Sequence, residues 1–199
     1  MRISALTTYD VTGTAHPRQQ LDLGLAGIEG NRACNTWRQV LLLPQQVLDR
    51  FRLEPGQLRE NILLSGSDDI HQLPSGSVLE VAGARLRLTF HCEPCQRISH
   101  LLPPKKLLHQ RGYLAQVVQA GRVRLGDPIT VSEQRYEAIP YAAAERIRWY
   151  LQSLERPIMA ADLVATLGLP KSYCRALPAL LRRLPEADAA RVRFASRRR

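Results

Sequence analysis

The sequence predicts a mainly β protein with a helical appendage. Residues 1–133 read as a β-barrel-like core, and residues 134–199 as a small, basic unit of helix-turn-helix, winged-helix-like form. Three observations predict this. Short strand-like runs separated by turn residues, with little helix between them, fill the first two thirds. From about residue 141 the apolar residues recur at helical spacing instead. The charge is also uneven: residues 134–199 carry 13 Lys and Arg against 6 Asp and Glu, and residues 1–133 carry 15 against 12.

Composition narrows the class. Hydrophobic residues make up 45% of the chain, enough for a sizeable core. No apolar run approaches the length of a membrane span, and the first residues lack the apolar stretch of a signal peptide. A soluble cytoplasmic protein with no membrane partner is the expectation, with its four cysteines reduced. A net charge of +10, concentrated towards the C-terminus, favours a polyanionic partner such as DNA or RNA, or an anionic cofactor.

Taken in order, Ile3–Tyr9 opens the strand pattern and Trp37–Leu43 is a strong strand with a buried end. Pro44 suits the first turn of a helix with Val47, Leu48 and Phe51 on one face, and Pro55-Gly56 breaks the chain. Further strands are expected over 61–64, 78–81 and 85–90. Runs 114–118 and 122–125 flank a hairpin loop at Gln119-Ala120-Gly121, and 129–131 supplies a last strand. In Arg85–Phe90 leucines alternate with arginines, after which Pro94 forbids a continued central strand.

That strand delivers Cys92-Glu93-Pro94-Cys95 to a sheet edge or loop, a natural place for metal or redox chemistry. Half a zinc site would need two more ligands. Cys34 and His91 are available, but no second paired cluster is present. A thioredoxin-like dithiol would open a helix, whereas this pair follows a strand. Two other groups could bind a ligand. Gly27–Arg32 combines permissive glycines with the donor fork of Arg32, and Arg59-Glu60-Asn61 places Arg59 and Asn61 on one face of an extended segment.

The order of these motifs resembles the MOSC domain family. Gly27-Ile28-Glu29-Gly30-Asn31-Arg32, Arg38–Leu43, Pro55–Asn61, Leu73-Pro74-Ser75-Gly76, Glu93-Pro94-Cys95, Arg111-Gly112-Tyr113 and Gly126-Asp127-Pro128 follow one another as in that family, over roughly residues 3–132. The resemblance implies a barrel-like core and the molybdenum cofactor, a phosphate-bearing pterin with a dithiolene-bound metal. It implies reduction of N-hydroxylated compounds, bases among them, with electrons from a donor protein. Residue by residue it implies Cys95 as metal ligand and catalytic residue, with Arg32, Arg59 and Asn61 around pterin and phosphate. A soft thiolate suits molybdenum and guanidinium forks suit phosphate. The chain departs from the family at Asn31-Arg32-Ala33, where many relatives have Asp-Arg-His, and in its extra Cys92. It also lacks the N-terminal β-barrel domain of the larger reductases, so a homodimer or its own C-terminus would have to complete the pocket.

In the last third, residues 141–154, 160–167 and 171–184 are predicted helices, the latter two joined by Gly168-Leu169-Pro170. Lys171, Arg175, Arg182 and Arg183 are the candidate nucleic-acid contacts, with Arg191, Arg193 and Arg197–Arg199 available to phosphates. Residues 161–176 resemble the DNA-binding domain of alkylguanine DNA alkyltransferases, with Arg175 at the position that resemblance assigns to base extrusion. Its Pro-Cys-His-Arg active site is absent. Alternatives to a small-molecule reductase are a non-enzymatic nucleic-acid-binding module and a sulfur carrier using Cys92 or Cys95.

Overall fold

The computed structural model describes residues 1–32, 35–66, 70–94, 96–169 and 173–195. The chain divides into two compact units, Met1–Ala138 and Ile139–Arg199.

In the first unit, β1 (Arg2–Tyr9), β2 (Ala15–Arg18), β5 (Val40–Pro44), β6 (Ile62–Ser65), β7 (Ser77–Val81), β8 (Ala84–His91), β9 (Tyr113–Gln119) and β11 (Thr130–Arg135) form one eight-stranded sheet in the order β11-β7-β8-β9-β5-β6-β1-β2. Three shorter strands, β3 (Gln20–Gly24), β4 (Gly27–Ile28) and β10 (Gly121–Arg124), form a second sheet in the order β10-β3-β4.

The expected β-barrel-like core is not formed. Closure requires the two edge strands to pair, and β11 and β2 share no ladder among the described residues. The N-terminal end of β1 meets the turn before β11 through an isolated Arg2–Pro128 bridge and flanking backbone bonds, with no continuous ladder. The sheet is mixed as well. β5 and β6 run parallel, because α1 (Gln45–Phe51) starts directly after Pro44 and carries the chain back to the same end of the sheet. The architecture is therefore a mixed α/β fold of several open sheets. The expected hairpin after β9 is also absent: β10 pairs with β3 in the second sheet.

Alternation explains the packing on either side of the central strands. Val40, Leu42, Ile62 and Leu64 enter the core that includes Leu21 and Leu23 of β3 and Val123 of β10. Their neighbours Leu43 and Leu63 face the other way, onto Val47 and Leu48 of α1 with Leu58, Ile98 and Leu107. Strands covered on both faces read as unbroken apolar runs, and Val40-Leu41-Leu42-Leu43 is the buried end that the sequence showed in Trp37–Leu43.

The second unit contains α2 (Ala143–Gln152), α3 (Ala160–Thr166), α4 (Tyr173–Leu181) and α5 (Glu186–Ala189) with a two-stranded ladder, β12 (Ile158–Met159) and β13 (Val192–Arg193). That ladder is parallel. A winged helix presents an antiparallel hairpin, and none occurs among the described residues here, so the winged-helix expectation is not met. The unit is fastened by Arg146, 3% exposed, whose guanidinium donates to the carbonyls of Pro140 (2.9 Å), Tyr141 (2.7 Å) and Leu167 (3.4 Å).

Gly112 is one of the places where the first unit tolerates no side chain. Its φ is 93°, and an added Cβ would overlap the carbonyl oxygen of Leu42. Gly112→Ala is expected to cost more than ~2 kcal/mol, read as a lowered urea midpoint with an unchanged slope.

Candidate functional site

The site is built around the end of β1. Tyr9 is 5% exposed and its hydroxyl lies 3.0 Å from the carbonyls of both Gly56 and Glu60. The Gly30–Arg32 segment folds back onto this strand end: the Tyr9 amide donates to Asn31 Oδ1 (2.7 Å), and the Arg32 amide donates to the Tyr9 carbonyl (2.7 Å). Asn31 thus serves here as a backbone clasp for β1.

Arg59 adopts a left-handed backbone, φ 67°, unusual outside glycine. This turn lays its guanidinium over the Tyr9 ring, 4.8 Å from the centroid, with Nη1 donating to the Gly13 carbonyl at 3.0 Å. The Gly13 loop is in turn wound around Asp10, whose Oδ1 accepts from the amides of Thr12, Gly13 and Thr14. The Thr12 hydroxyl, then His16 and the loop amides, hold the Asp10 carboxyl well below the usual carboxylate range.

Arg111 enters from the other side. It is 4% exposed, and its Nη1 and Nη2 donate to the carbonyls of Glu93 (2.7 Å) and Leu58 (3.3 Å). The cysteine-bearing segment and the Arg59 turn are thereby joined through one guanidinium. Burial, then the like charge of Arg97, lowers the affinity of Arg59 for its proton. Tyr9 opposes this, and Arg32 and Arg111 add to it. The guanidinium groups of Arg32, Arg97 and Arg111 therefore each lie within electrostatic range of Arg59, an anion-attracting arrangement.

Glu60 lies next to Arg59 in sequence and within electrostatic range of Arg111. It is 1% exposed; Oε1 accepts from the Gly56 amide at 2.5 Å, and Oε2 is buried without a hydrogen-bond partner. Burial raises its proton affinity above the ordinary carboxylate level, while the Gly56 amide and Arg111 oppose the rise. Burial first, then the neighbouring Glu60 charge, also raises the Tyr9 phenol, against Arg59 and Arg111.

The residues singled out in the sequence are placed as follows. Arg32 and Arg59 share the cluster. Asn61 is 6% exposed, and both ends of its side chain bind backbone: Oδ1 accepts from the Leu41 amide (3.0 Å) and Nδ2 donates to the Thr7 carbonyl (3.1 Å). Cys95 lies outside the described residues, as do Cys34, Lys171 and Arg197–Arg199. Cys92 is a free thiol, 2% exposed, and its amide donates to the Gly112 carbonyl at 2.9 Å. Arg175, Arg182 and Arg183 are exposed in the second unit.

Sequence reading missed Tyr9, Glu60, Arg97 and Arg111 as members. Arg111 and Arg97 were visible only as parts of motifs, and nothing local marks Tyr9 as a hub. It also missed a group of rings beside the cysteine segment. His91 lies 5.7 Å from His71, 6.3 Å from His109 and 4.6 Å from Tyr113, centroid to centroid, and His71 Nε2 accepts from the Gly112 amide at 3.1 Å. Among the described residues, no three His, Cys, Asp or Glu side chains gather into a group that could hold a metal ion. No helix among them is long and apolar enough to cross a membrane.

A sequence profile of the MOSC domain matches residues 31–130. Among solved structures, the YuaD protein of Bacillus subtilis is similar at a TM-score of 0.59 and 19% identity, over 68% of this chain and 96% of that one. YiiM from Geobacillus stearothermophilus is similar at 0.55 and 17%, over 90% of this chain and 98% of that one. YiiM from Escherichia coli is similar at 0.51 and 17%, over 90% and 92%. At these identities the likeness is one of fold. Coverage of 90% carries it past residue 138 into the C-terminal unit, and nothing in the comparisons points to an alkyltransferase-type DNA-binding domain. No match was found among curated protein sequences.

Two outcomes follow from the site. Asn61→Ala strands the Leu41 amide and the Thr7 carbonyl in the sheet interior and is expected to cost about 2–4 kcal/mol, measured by denaturant unfolding. Glu60 has a raised folded pKa, so the unfolded chain releases this proton first as pH climbs. Its contribution to stability is greatest in acid and falls with rising pH from the ordinary carboxylate range through the raised folded value. The stability of Glu60→Gln relative to wild type should therefore increase across that interval in urea titrations at successive pH values.

Proposed function

The chain belongs to the MOSC domain family, and from that premise we propose that it is a molybdenum-cofactor enzyme that reduces N-hydroxylated compounds, bases among them. The observation that carries this reading is the grouping of Arg32, Arg97 and Arg111 within electrostatic range of Arg59, whose guanidinium lies over Tyr9, with Arg111 bonded to the Glu93 carbonyl.

The donor set suits a phosphorylated pterin. Four guanidinium groups exceed what Glu60 alone could neutralise, and phosphate is the ligand their planar forks fit. Arg111 and Glu60 are buried and belong to the wall, whereas Arg97 is exposed and can face a ligand directly. Asn61 already binds two strands, which leaves the pterin at most its second amide hydrogen. Cys95 is the thiolate assigned to the metal. A metal carried by the pterin's own sulfurs and one protein thiolate needs no cluster of protein ligands, so the chemistry does not depend on one.

Once bound, the cofactor supplies a two-electron centre able to convert N–OH to N–H with release of water, two protons and two electrons being consumed. The protein's own part is to hold the phosphate on the arginines, to fix Arg59 through Gly13 and Tyr9, and to keep the Glu93 end of the cysteine segment against Arg111. An electron-donor protein would supply the electrons, and a homodimer remains a proposal for completing the pocket.

A second reading concerns the C-terminal unit. Arg175 and Arg182 are seven residues apart, on one side of α4 and its extension, with Arg183 beside them, all exposed. This basic edge supports contact with DNA or RNA phosphates.

Two measurements test these readings. Full-length protein produced with cofactor supply should contain molybdenum close to one per chain by elemental analysis. Cys95→Ala should abolish reduction of an N-hydroxylated base, and Arg59→Ala should lower occupancy severalfold. Molybdenum at trace level in wild type, unchanged in either variant, would remove the reductase reading. For the second unit, Arg175→Ala with Arg182→Ala should weaken binding to duplex DNA and reduce the salt slope by about 2; an unaltered slope would exclude these residues as phosphate contacts.

A further inference from the structure

A buried carboxyl group inside a cluster of arginines is expensive unless it does something for the cluster. Glu60 is 1% exposed, with one oxygen held by the Gly56 amide and the other, Oε2, buried without a hydrogen bond. The charged and titratable groups that bear on it are Arg111, from the loop before β9, and Tyr9 of β1; Arg59, its neighbour in sequence, is in turn within electrostatic range of Arg32, Arg97 and Arg111.

Consider the cluster without and with a ligand. Without one, a carboxylate at Glu60 offsets part of the arginine charge, and Arg111 favours that ionised form. With a dianion on the arginines, the same charge becomes redundant and is repelled. Burial already disfavours the carboxylate, and the anion adds to burial in the same direction. A proton is then the smallest change that restores balance. The ring hydroxyl of Tyr9 cannot take this role: it is protonated in both states, its affinity for its proton being raised by burial and by Glu60. The arginines stay charged throughout.

We propose that Glu60 is the charge-compensating switch of the anion site: it is ionised while the arginine cluster is empty and takes up a proton when a phosphate-like dianion binds. The proposal rests on the preceding reading only in treating the arginines as an anion site, and it needs no metal. Reciprocity of linkage then requires the affinity of the site for a dianion to rise with acidity, by up to tenfold per pH unit where uptake is complete. Cofactor or substrate carrying a phosphate would be held more tightly in mild acid and released more readily in alkali, with the change set by one side chain.

Sulfate is the probe, because it remains a dianion over the range of interest and brings no titration of its own. The experiment is calorimetric titration of the full-length, cofactor-free chain with sulfate, between pH 5 and 8, in buffers of different ionisation enthalpy. Wild type should take up as much as one proton per sulfate, with affinity falling as pH rises. Glu60→Gln should take up none, and should bind sulfate at pH 7 as tightly as wild type does at the acid end. Difference infrared spectra of wild type alone should show a carboxylate band lost and a protonated carboxyl band gained on adding sulfate, which keeps the test decisive if the variant fails to fold. Sulfate bound without proton uptake, uptake that persists in Glu60→Gln, no new carboxyl band, or no sulfate binding at all would each overturn the proposal. Proton-linked sulfate binding in a protein that acquires no molybdenum would uphold it while removing the reductase reading.

Discussion

The structure depends on how Asn61 is spent. Its backbone amide donates to the Leu41 carbonyl and its side-chain oxygen accepts from the Leu41 amide, so one residue satisfies both polar groups of a β5 residue. Its carbonyl accepts from the Thr7 amide and its Nδ2 donates to the Thr7 carbonyl, so it does the same for β1. It thereby extends the central position of β6 by one residue beyond the strand itself. An amide is the right chemistry: it carries donor and acceptor at one end of a short stem, and a carboxylate there would set an acceptor against the Thr7 carbonyl. With position 61 fixed in this way, the two residues before it have little freedom. Arg59 must turn through the left-handed region and fall across Tyr9, and Glu60 must point inward.

That constraint explains an otherwise costly arrangement. Left-handed backbone at a non-glycine residue and a carboxyl group out of water are each unfavourable. Both persist because the sheet on either side over-determines the turn. The return is a fixed set of guanidinium groups whose positions owe little to their own flexible stems. Arg59 is held by a carbonyl and a ring, and Arg111 by two carbonyls. Even the Gly13 carbonyl is placed by a loop that Asp10 organises through three amides. Preorganisation of this kind reduces the ordering that a ligand would otherwise have to impose.

How much of this was legible in the sequence follows from what is local and what is not. Trp37–Leu43 announced a strand with a buried end, Pro44 announced the start of α1, and the helical periods of the last third gave α2 and α3. Each of those signals is contained within one element. Strand partnership is not local. Nothing in Gly121–Arg124 says that it pairs with β3 and not with β9. The reason becomes visible only when an added Cβ at Gly121 is found 2.8 Å from the Ala84 amide nitrogen, a sign of close backbone approach between the two sheets. Likewise β5 and β6 look like any two strands in an antiparallel series until the short helix between them makes them parallel. A barrel was expected because many short strands suggest one, but strand number does not decide closure. The site shows the same division. Arg59 and Asn61 were found by type and spacing, yet side-by-side placement in sequence did not foresee their different fates, one laid across the Tyr9 ring and the other knitted into the sheet. Tyr9, 50 residues from Arg59 in sequence, carries no motif at all.

The surroundings of the Cys92 thiol follow from the same framework. Cys92 continues the line of β8, its amide bonded to the Gly112 carbonyl and its sulfur 2% exposed among packed neighbours. A thiol so enclosed is an inert wall group by surroundings, and exchange with a second thiol or with an incoming sulfur would need the sheet end to open. On one side of it His91 meets the Tyr113 ring edge-on, with the rings of His71 and His109 also near; on the other, Glu93 is fastened to Arg111. His91 and Glu93 are thus both held just where β8 ends, and Arg97 lies within electrostatic range of Arg59. Exchange chemistry at Cys92 is therefore disfavoured, whereas the exposed Arg97 further along the chain adds to the positive charge that bears on Arg59.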